Sequence, residues 1–232
     1  MFAHGSDRRL TPHDLERFAG PSLFDRIGRV VCSAGCLPRK ELYEAWEVAR
    51  RVRRRFRGGR VVDLASGHGL LAHLMLLLDD SSPAALAVDK TLPPSSSALQ
   101  EVLVAEWPRL SGRVSLVEAA VDGVEIGDSD IVVSSHACGR LTDVILDRAV
   151  SARARVAVLP CCQDFAACDT GDLSGWLEPA LAIDVMRAVR VRRHRYRIWT
   201  QTIAAGITPK DRLLLAQPLD ARSSAVSETP SP

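Results

Sequence analysis

Short β-branched runs alternate with longer stretches of helical spacing, and this alternation does most to narrow the folds open to the chain. The runs cover residues 60–64, 84–89, 113–117, 130–134 and 155–159, and helical stretches lie between and after them at about 70–78, 95–106, 141–150 and 173–191. Strands with no polar interruption are buried on both faces, which a parallel sheet covered by helices provides. The end of the chain departs from this pattern. Residues 195–203 and 212–215 are strand-like, yet only a short turn at Gly206-Ile207-Thr208-Pro209 separates them. Strands joined so closely must be antiparallel neighbours. The expectation is an α/β protein with a mostly parallel, seven-stranded sheet closed by an antiparallel C-terminal hairpin.

A helix is expected before the first strand. Leu42, Ala45, Trp46, Ala49, Val52 and Phe56 share helical spacing, with Glu41, Glu44 and Glu47 early and Arg50, Arg51, Arg53, Arg54 and Arg55 late. That charge order suits the helix dipole, and Gly58-Gly59 stops the pattern. Residues 1–40 show no strong period and are interrupted by Gly20, Pro21, Gly35 and Pro38, so they read as a leader or lid. Residues 41–218 read as the main domain and 219–232, rich in Ser, Thr and Pro, as a disordered tail. The 232 residues are 47% hydrophobic and 25% charged, ample for one buried core. The longest apolar stretch, 69–78, is about half a membrane span and contains His73, so no membrane helix is expected. Residues 1–10 lack the apolar centre of a secretory signal. With no such signal, the six cysteines indicate a reducing, cytoplasmic setting.

The first strand runs into Asp63-Leu64-Ala65-Ser66-Gly67-His68-Gly69. Gly67 and Gly69 permit a tight turn and a close backbone approach to a ligand at a helix N-terminus. Asp89, about twenty residues further on, ends the second strand, where a ribose hydroxyl partner is expected. Gly67-x-Gly69-x-x-Ala72 also satisfies a relaxed dinucleotide fingerprint, which keeps an NAD-dependent oxidoreductase open. Asp63 argues against it. A carboxylate there would meet the pyrophosphate of NAD unfavourably, whereas it suits the ammonium and sulfonium of S-adenosylmethionine. Asp63, Ser66, Gly67 and Gly69 are therefore assigned to the methionine part of that donor and Asp89 to its ribose, with Ala65 and Lys90 as further donor-binding candidates. Ala120, after the third strand, falls where the adenine ring borders such a fold.

The fourth strand ends in Ser134-Ser135-His136-Ala137-Cys138-Gly139 and the fifth in Pro160-Cys161-Cys162-Gln163. Ligands bind beyond the carboxyl ends of parallel strands. His136, Cys138, Cys161 and Cys162 should therefore converge beside the methyl donor. His136, Cys138 and Cys162 are the candidate catalytic residues, His136 to orient or deprotonate the acceptor with a pKa suited to acid–base work near neutrality. A cysteine nucleophile at 161–162 is a further option. The ligand types suit zinc, but the spacing is not a CxxC pattern, and no metal ligand is assigned. Cys32, Cys36 and Cys168 read as buried space-fillers.

The Asp-x-Ala-x-Gly-x-Gly loop resembles the first motif of class I S-adenosylmethionine-dependent methyltransferases, with Ala65 at its first glycine. His-Ala-Cys-Gly-x-Leu-Thr-Asp at 136–143, with Pro-Cys-Cys at 160–162, resembles the group containing the CCCH-finger tRNA 2′-O-methyltransferase and its methyltransferase-like relatives. The resemblance spans about 41–217 and implies a Rossmann-like methyltransferase fold and S-adenosylmethionine as donor. No Cys/His finger array precedes residue 41, so the resemblance carries the fold and donor further than a tRNA acceptor. Only Lys40, Lys90 and Lys210 are lysines among 30 basic residues. The arginine stretches 50–60 and 187–197 read either as RNA-phosphate contacts or as solvated helix C-termini. RNA, a small molecule and a protein stay open as acceptors, and a non-catalytic, donor-binding partner subunit stays open as a function.

Overall fold

The computed structural model describes residues 7–160 and 162–219. Among these, seven strands form one sheet: β1 Val61–Leu64, β2 Ala85–Asp89, β3 Val114–Glu118, β4 Ile131–Ser134, β5 Arg155–Val158, β6 Tyr196–Thr202 and β7 Arg212–Pro218. Their order is β3-β2-β1-β4-β5-β7-β6. Strands β1 to β5 are parallel, while β7 lies antiparallel between β5 and β6. The expected fold class and closing hairpin are therefore present.

The uninterrupted apolar strands are explained by two cores. Val61, Ile131, Val133, Leu213 and Leu215 enter one core, with helices α1 Leu23–Ala34, α2 Arg39–Arg53, α3 Leu70–Leu78 and α4 Ser96–Glu106. Their sequence neighbours Val62, Val132, Leu214 and Ala216 point the other way, against α5 Arg140–Ser151 and α6 Pro179–Arg193. Each fully buried valine or leucine contributes about 1.5–3 kcal/mol, so neither face can be left bare. Cys32 and Cys36 are buried in the first core, and burial pushes the Cys32 thiol up to about 11.

Residues 7–40 differ from the expectation of no periodic structure. They contain α1 and the start of α2, and Leu10, Phe18, Ile27, Val31 and Leu37 belong to the first core. The residues that looked like interruptions are the helix boundaries. Ser22 follows Pro21 and its hydroxyl accepts the Asp25 amide at 3.1 Å, and Gly35 ends the helix. Leu23, Ile27 and Val31 then form a stripe at i, i+4 and i+8, and Phe24 packs edge-on against Tyr43 of α2 at 5.0 Å. The second difference is α6, which begins at Pro179 and not at 173. Upstream there is only a single turn, Leu173–Gly175. Proline has no amide to donate and fits the first helical turn, where the Glu178 side chain accepts the Ala180 and Leu181 amides, each at 3.0 Å. Of the tail expected at 219–232, residues 220–232 lie outside the described residues.

The arginine bias has a structural use besides phosphate contacts and solvated helix ends. The last four carbonyls of α3 all accept from arginine side chains: Met75 from Arg53 at 2.9 Å, Leu76 and Leu77 from Arg109 at 3.3 and 2.8 Å, and Leu78 from Arg57 at 3.0 Å. A helix C-terminus leaves such carbonyls without intrahelical partners, and cations suit its dipole. Arg53 is buried and also pairs with Asp79 at 3.1 Å. Arg155 likewise bridges the Arg57 and Ser129 carbonyls at 2.7 and 2.6 Å. Arg54, Arg193, Arg195 and Arg197 are exposed. Among the described residues no helix is long and apolar enough to cross a membrane.

Candidate functional site

The connection after β1 leads to β2 on one side of the sheet, and the connection after β4 leads to β5 on the other. Between β1 and β4 lies the switch point where open α/β sheets bind ligands. The loop there is held by a set of backbone contacts. The Ser66 amide donates to the Val88 carbonyl at 3.0 Å and the Gly69 amide to the Ser66 carbonyl at 2.9 Å. The Gly67 amide donates to the Asp89 carboxylate at 2.9 Å, tying the two acidic strand ends into one structure. Gly69, with φ +77°, has no room for a side chain, since a Cβ would lie 2.9 Å from that of Ala87. Gly67, with φ +54°, is the opposite case: nothing lies within 4 Å of its Cβ position. Ala65 also has positive φ, +57°, which costs an alanine about 1–2 kcal/mol relative to the motif's usual glycine.

Asp63 is fully buried and one of its oxygens accepts the Ala72 amide at 3.2 Å, pinning the first turn of α3 to β1. Burial holds its carboxyl well above the usual carboxylate range, and Asp89 adds to this against the Ala72 amide. Its second oxygen, Oδ1, has no hydrogen-bond partner, and neither have the buried hydroxyls of Ser66 and Ser134. Asp63 and Ser66 flank the glycine loop, whereas Ser134 alternates with Val133 and shares the sheet face of Val132. Asp89 is half-buried and also accepts the Thr91 amide at 3.3 Å. Lys90 and Ala120 are exposed, and the Ala119 amide ties the end of β3 to the Asp89 carbonyl at 2.9 Å.

Beyond β4 the backbone of Cys138 pairs with that of Cys162 in parallel register, and the Gly139 amide donates to the Cys162 carbonyl at 3.0 Å. The two candidate cysteines are thus neighbours, both exposed, and neither is in a disulfide. Cys161 lies outside the described residues. His136 is half-buried beside them. Its pKa is not near neutrality, as the sequence suggested: burial, with Lys40 and His68 nearby, pushes it down to about 4 against the pull of Asp89. It is a neutral imidazole at pH 7. Among the described residues no group of three His, Cys, Asp or Glu side chains could hold a metal.

Other members of the 136–143 segment are structural. The Thr142 hydroxyl donates to the Ala137 carbonyl at 2.8 Å. Asp143 pairs with the buried Arg187 at 2.9 Å, and Arg187 also donates to the Gly139 carbonyl at 2.9 Å. Cys168 is buried as expected, but it does more than fill space: its thiol lies 3.7 Å from an Asp143 oxygen.

Sequence reasoning missed the roof of the site. A small crevice of about 10 Å³ is lined by Leu37, Glu41, Ser66, His68, Ser135 and His136 among others, so the start of α2 covers the glycine loop. His68 bonds the Ser95 hydroxyl at 3.0 Å, and its other ring nitrogen is 3.9 Å from Glu41. Burial and Glu44 push the Glu41 carboxyl up to about 7, against Lys40. In the sequence Glu41 is indistinguishable from an acid placed to suit the helix dipole, and His68 from a spacer between two glycines.

A family model described as "Methyltransferase domain" matches residues 40–168, more than half of the chain. Among solved structures, an O-methyltransferase family protein from Burkholderia thailandensis superposes with a TM-score of 0.53 and 18% identity, covering 91% of this chain and 64% of that one. The mitomycin 7-O-methyltransferase MmcR superposes with a TM-score of 0.51 and 15% identity, covering 88% of this chain and 60% of its own. This chain thus spans under two thirds of the length of either protein, and at such identities the likeness concerns the fold alone. No curated protein sequence matches the chain significantly. The family match takes in both the glycine loop and the His136 segment on a sheet of the expected order, and the chain belongs to the methyltransferase-domain family.

Proposed function

We propose that the crease between β1 and β4 holds S-adenosylmethionine and that the acceptor approaches over His136, Cys138 and Cys162. The observation that carries this reading is the pair of buried, unpartnered polar atoms flanking the glycine loop: Asp63 Oδ1 and Ser66 Oγ. A buried polar group without a partner costs about 1–3 kcal/mol, so two at one glycine loop suit a polar ligand. The donor fits. Its ammonium offers donors to Asp63 and the Ser66 hydroxyl, and a cation beside Asp63 draws that carboxyl back toward ionisation. The open space at Gly67 leaves the loop backbone accessible to the methionine portion, with Ala65 and Gly69 shaping its turn. Asp89, already oriented by the Gly67 and Thr91 amides, retains acceptor capacity for the ribose hydroxyls. Lys90 and Ala120 flank the adenosine.

S-adenosylmethionine supplies a methyl carbon activated by a sulfonium leaving group. The protein's contribution is alignment and exclusion of water. His136, neutral at pH 7, can hold an acceptor hydroxyl by accepting its hydrogen bond, but a group with a pKa of about 4 is a weak base. Its role is therefore orientation more than proton abstraction. Cys138 and Cys162 form the adjoining wall.

RNA is the acceptor class this reading favours. The exposed arginines at 54, 193, 195 and 197 suit phosphate contacts, and the 136–143 segment resembles that of a tRNA 2′-O-methyltransferase. The test is transfer of labelled methyl groups into RNA, with protein and small-molecule fractions in parallel. His136→Ala should lower turnover about a hundredfold while leaving the affinity for S-adenosylhomocysteine within about twofold. Full turnover in that variant would remove His136 from the mechanism, and label confined to protein would remove RNA as acceptor.

A further inference from the structure

A cavity of about 530 Å³ lies away from the β1–β4 crease, between α6 and the sheet where β6 and β7 meet the end of β5. It is partly open to solvent, and its volume falls within the range of small-molecule sites. The void follows from side-chain size. Ile198, Thr200 and Thr202 alternate along β6 toward α6, and α6 presents Val185 and Ala188 to them, so short side chains meet across the gap. Leu181 and Leu214 complete an apolar lining.

Its charges are predominantly positive. The lining carries three arginines, Arg187, Arg192 and Arg212, against one acid, Asp184. Asp184 is already shared by Arg187 at 3.1 Å and Arg212 at 2.7 Å. Arg192 is exposed and has no ion-pair partner among the described residues. The surplus charge is thus a guanidinium on an exposed rim, above an apolar interior.

We infer that this cavity is a second ligand site, for an amphiphilic organic anion: an aromatic or aliphatic body with a carboxylate, sulfonate or phosphate group. The body fills the space between Val185, Ala188 and Ile198, and the anion meets Arg192 and Arg212. S-adenosylmethionine, which carries a sulfonium, does not match this charge pattern. Pro160 lines the cavity and leads along the chain to Cys162, so the site adjoins the acceptor side without overlapping the donor crease.

The probe is 8-anilinonaphthalene-1-sulfonate, with uncharged N-phenyl-1-naphthylamine as its neutral counterpart. Fluorescence titration should show saturable binding of the sulfonate at one site per chain, with the neutral probe about tenfold weaker or more. Ala188→Trp, which fills the cavity, should abolish binding while S-adenosylhomocysteine affinity and the circular dichroism spectrum stay unchanged. Arg192→Glu, an exposed substitution that does not threaten folding, should weaken the sulfonate about three- to tenfold and leave the neutral probe unaffected. Absence of saturable binding, or binding that survives Ala188→Trp in a folded protein, would overturn the site. If Ala188→Trp does not fold, an undiminished sulfonate affinity in Arg192→Glu would overturn it. Equal affinity of the two probes would overturn the anionic ligand class. Because donor affinity is measured in the same variants, failure here is distinguishable from failure of the donor reading.

Discussion

Arg187→Ala should destabilise the protein by about 3 kcal/mol or more, a large effect for a residue outside the proposed donor crease. Arg187 is buried at 2% exposure, and its guanidinium reaches Asp143 at 2.9 Å, Asp184 at 3.1 Å and the Gly139 carbonyl at 2.9 Å. Burial works to lower its pKa, but the hydrogen bond and charge of Asp143, with Asp184, outweigh it and raise it. Removing the arginine leaves two carboxylates facing each other's neighbourhood with less compensation. Breaking a buried pair costs about 3–5 kcal/mol. Asp143 keeps Arg190 at 2.9 Å and Asp184 keeps Arg212 at 2.7 Å, which places the expectation at the low end. Urea unfolding measures it. Arg187→Lys should recover only part of the loss, because one ammonium cannot span three acceptors as the fork does. A loss below about 1 kcal/mol for the alanine variant would mean that the network contributes little.

Asp89→Ala should weaken S-adenosylhomocysteine binding about a hundredfold or more. Hydrogen bonds to a charged acceptor contribute about 1.5–3 kcal/mol each, and a ribose offers two hydroxyls. The carboxylate also holds the Gly67 amide at 2.9 Å, so its removal loosens the loop that approaches the ligand. Asp89→Asn keeps the shape but loses the charge and should fall between the two. Titration calorimetry separates the cases, and an affinity within about threefold of wild type in Asp89→Ala would remove Asp89 from the donor site.

The central fold was legible because each inner strand is buried on both faces, and that leaves an unmistakable run such as Ile131-Val132-Val133. The closing hairpin was legible from a loop too short for a crossover. The alternation was silent on α1, where Gly20, Pro21 and Gly35 looked like breaks and are in fact its boundaries. It was equally silent on α6, where the helical pattern ran on upstream of the proline that begins the helix. The candidate site was legible where contacts are local: the spacing of Gly67, Gly69 and Asp89 anticipates a tight turn after β1 held by the end of β2. It was not legible where partners are distant. Arg53, Arg109 and Arg187 resemble any surface arginine until the carbonyls and carboxylates they meet are known. The low pKa of His136 comes first from burial and then from Lys40 and His68, which other parts of the chain deliver, and the residues around it in sequence carry no sign of this.

We propose the β1–β4 crease as a methyl-donor site and not a dinucleotide site. Titration calorimetry of the wild-type protein with S-adenosylhomocysteine, and separately with NAD, tests it in one instrument. Saturable binding of S-adenosylhomocysteine at one site per chain, with no measurable heat from NAD, is the expected result. Saturable NAD binding with none of S-adenosylhomocysteine would contradict it.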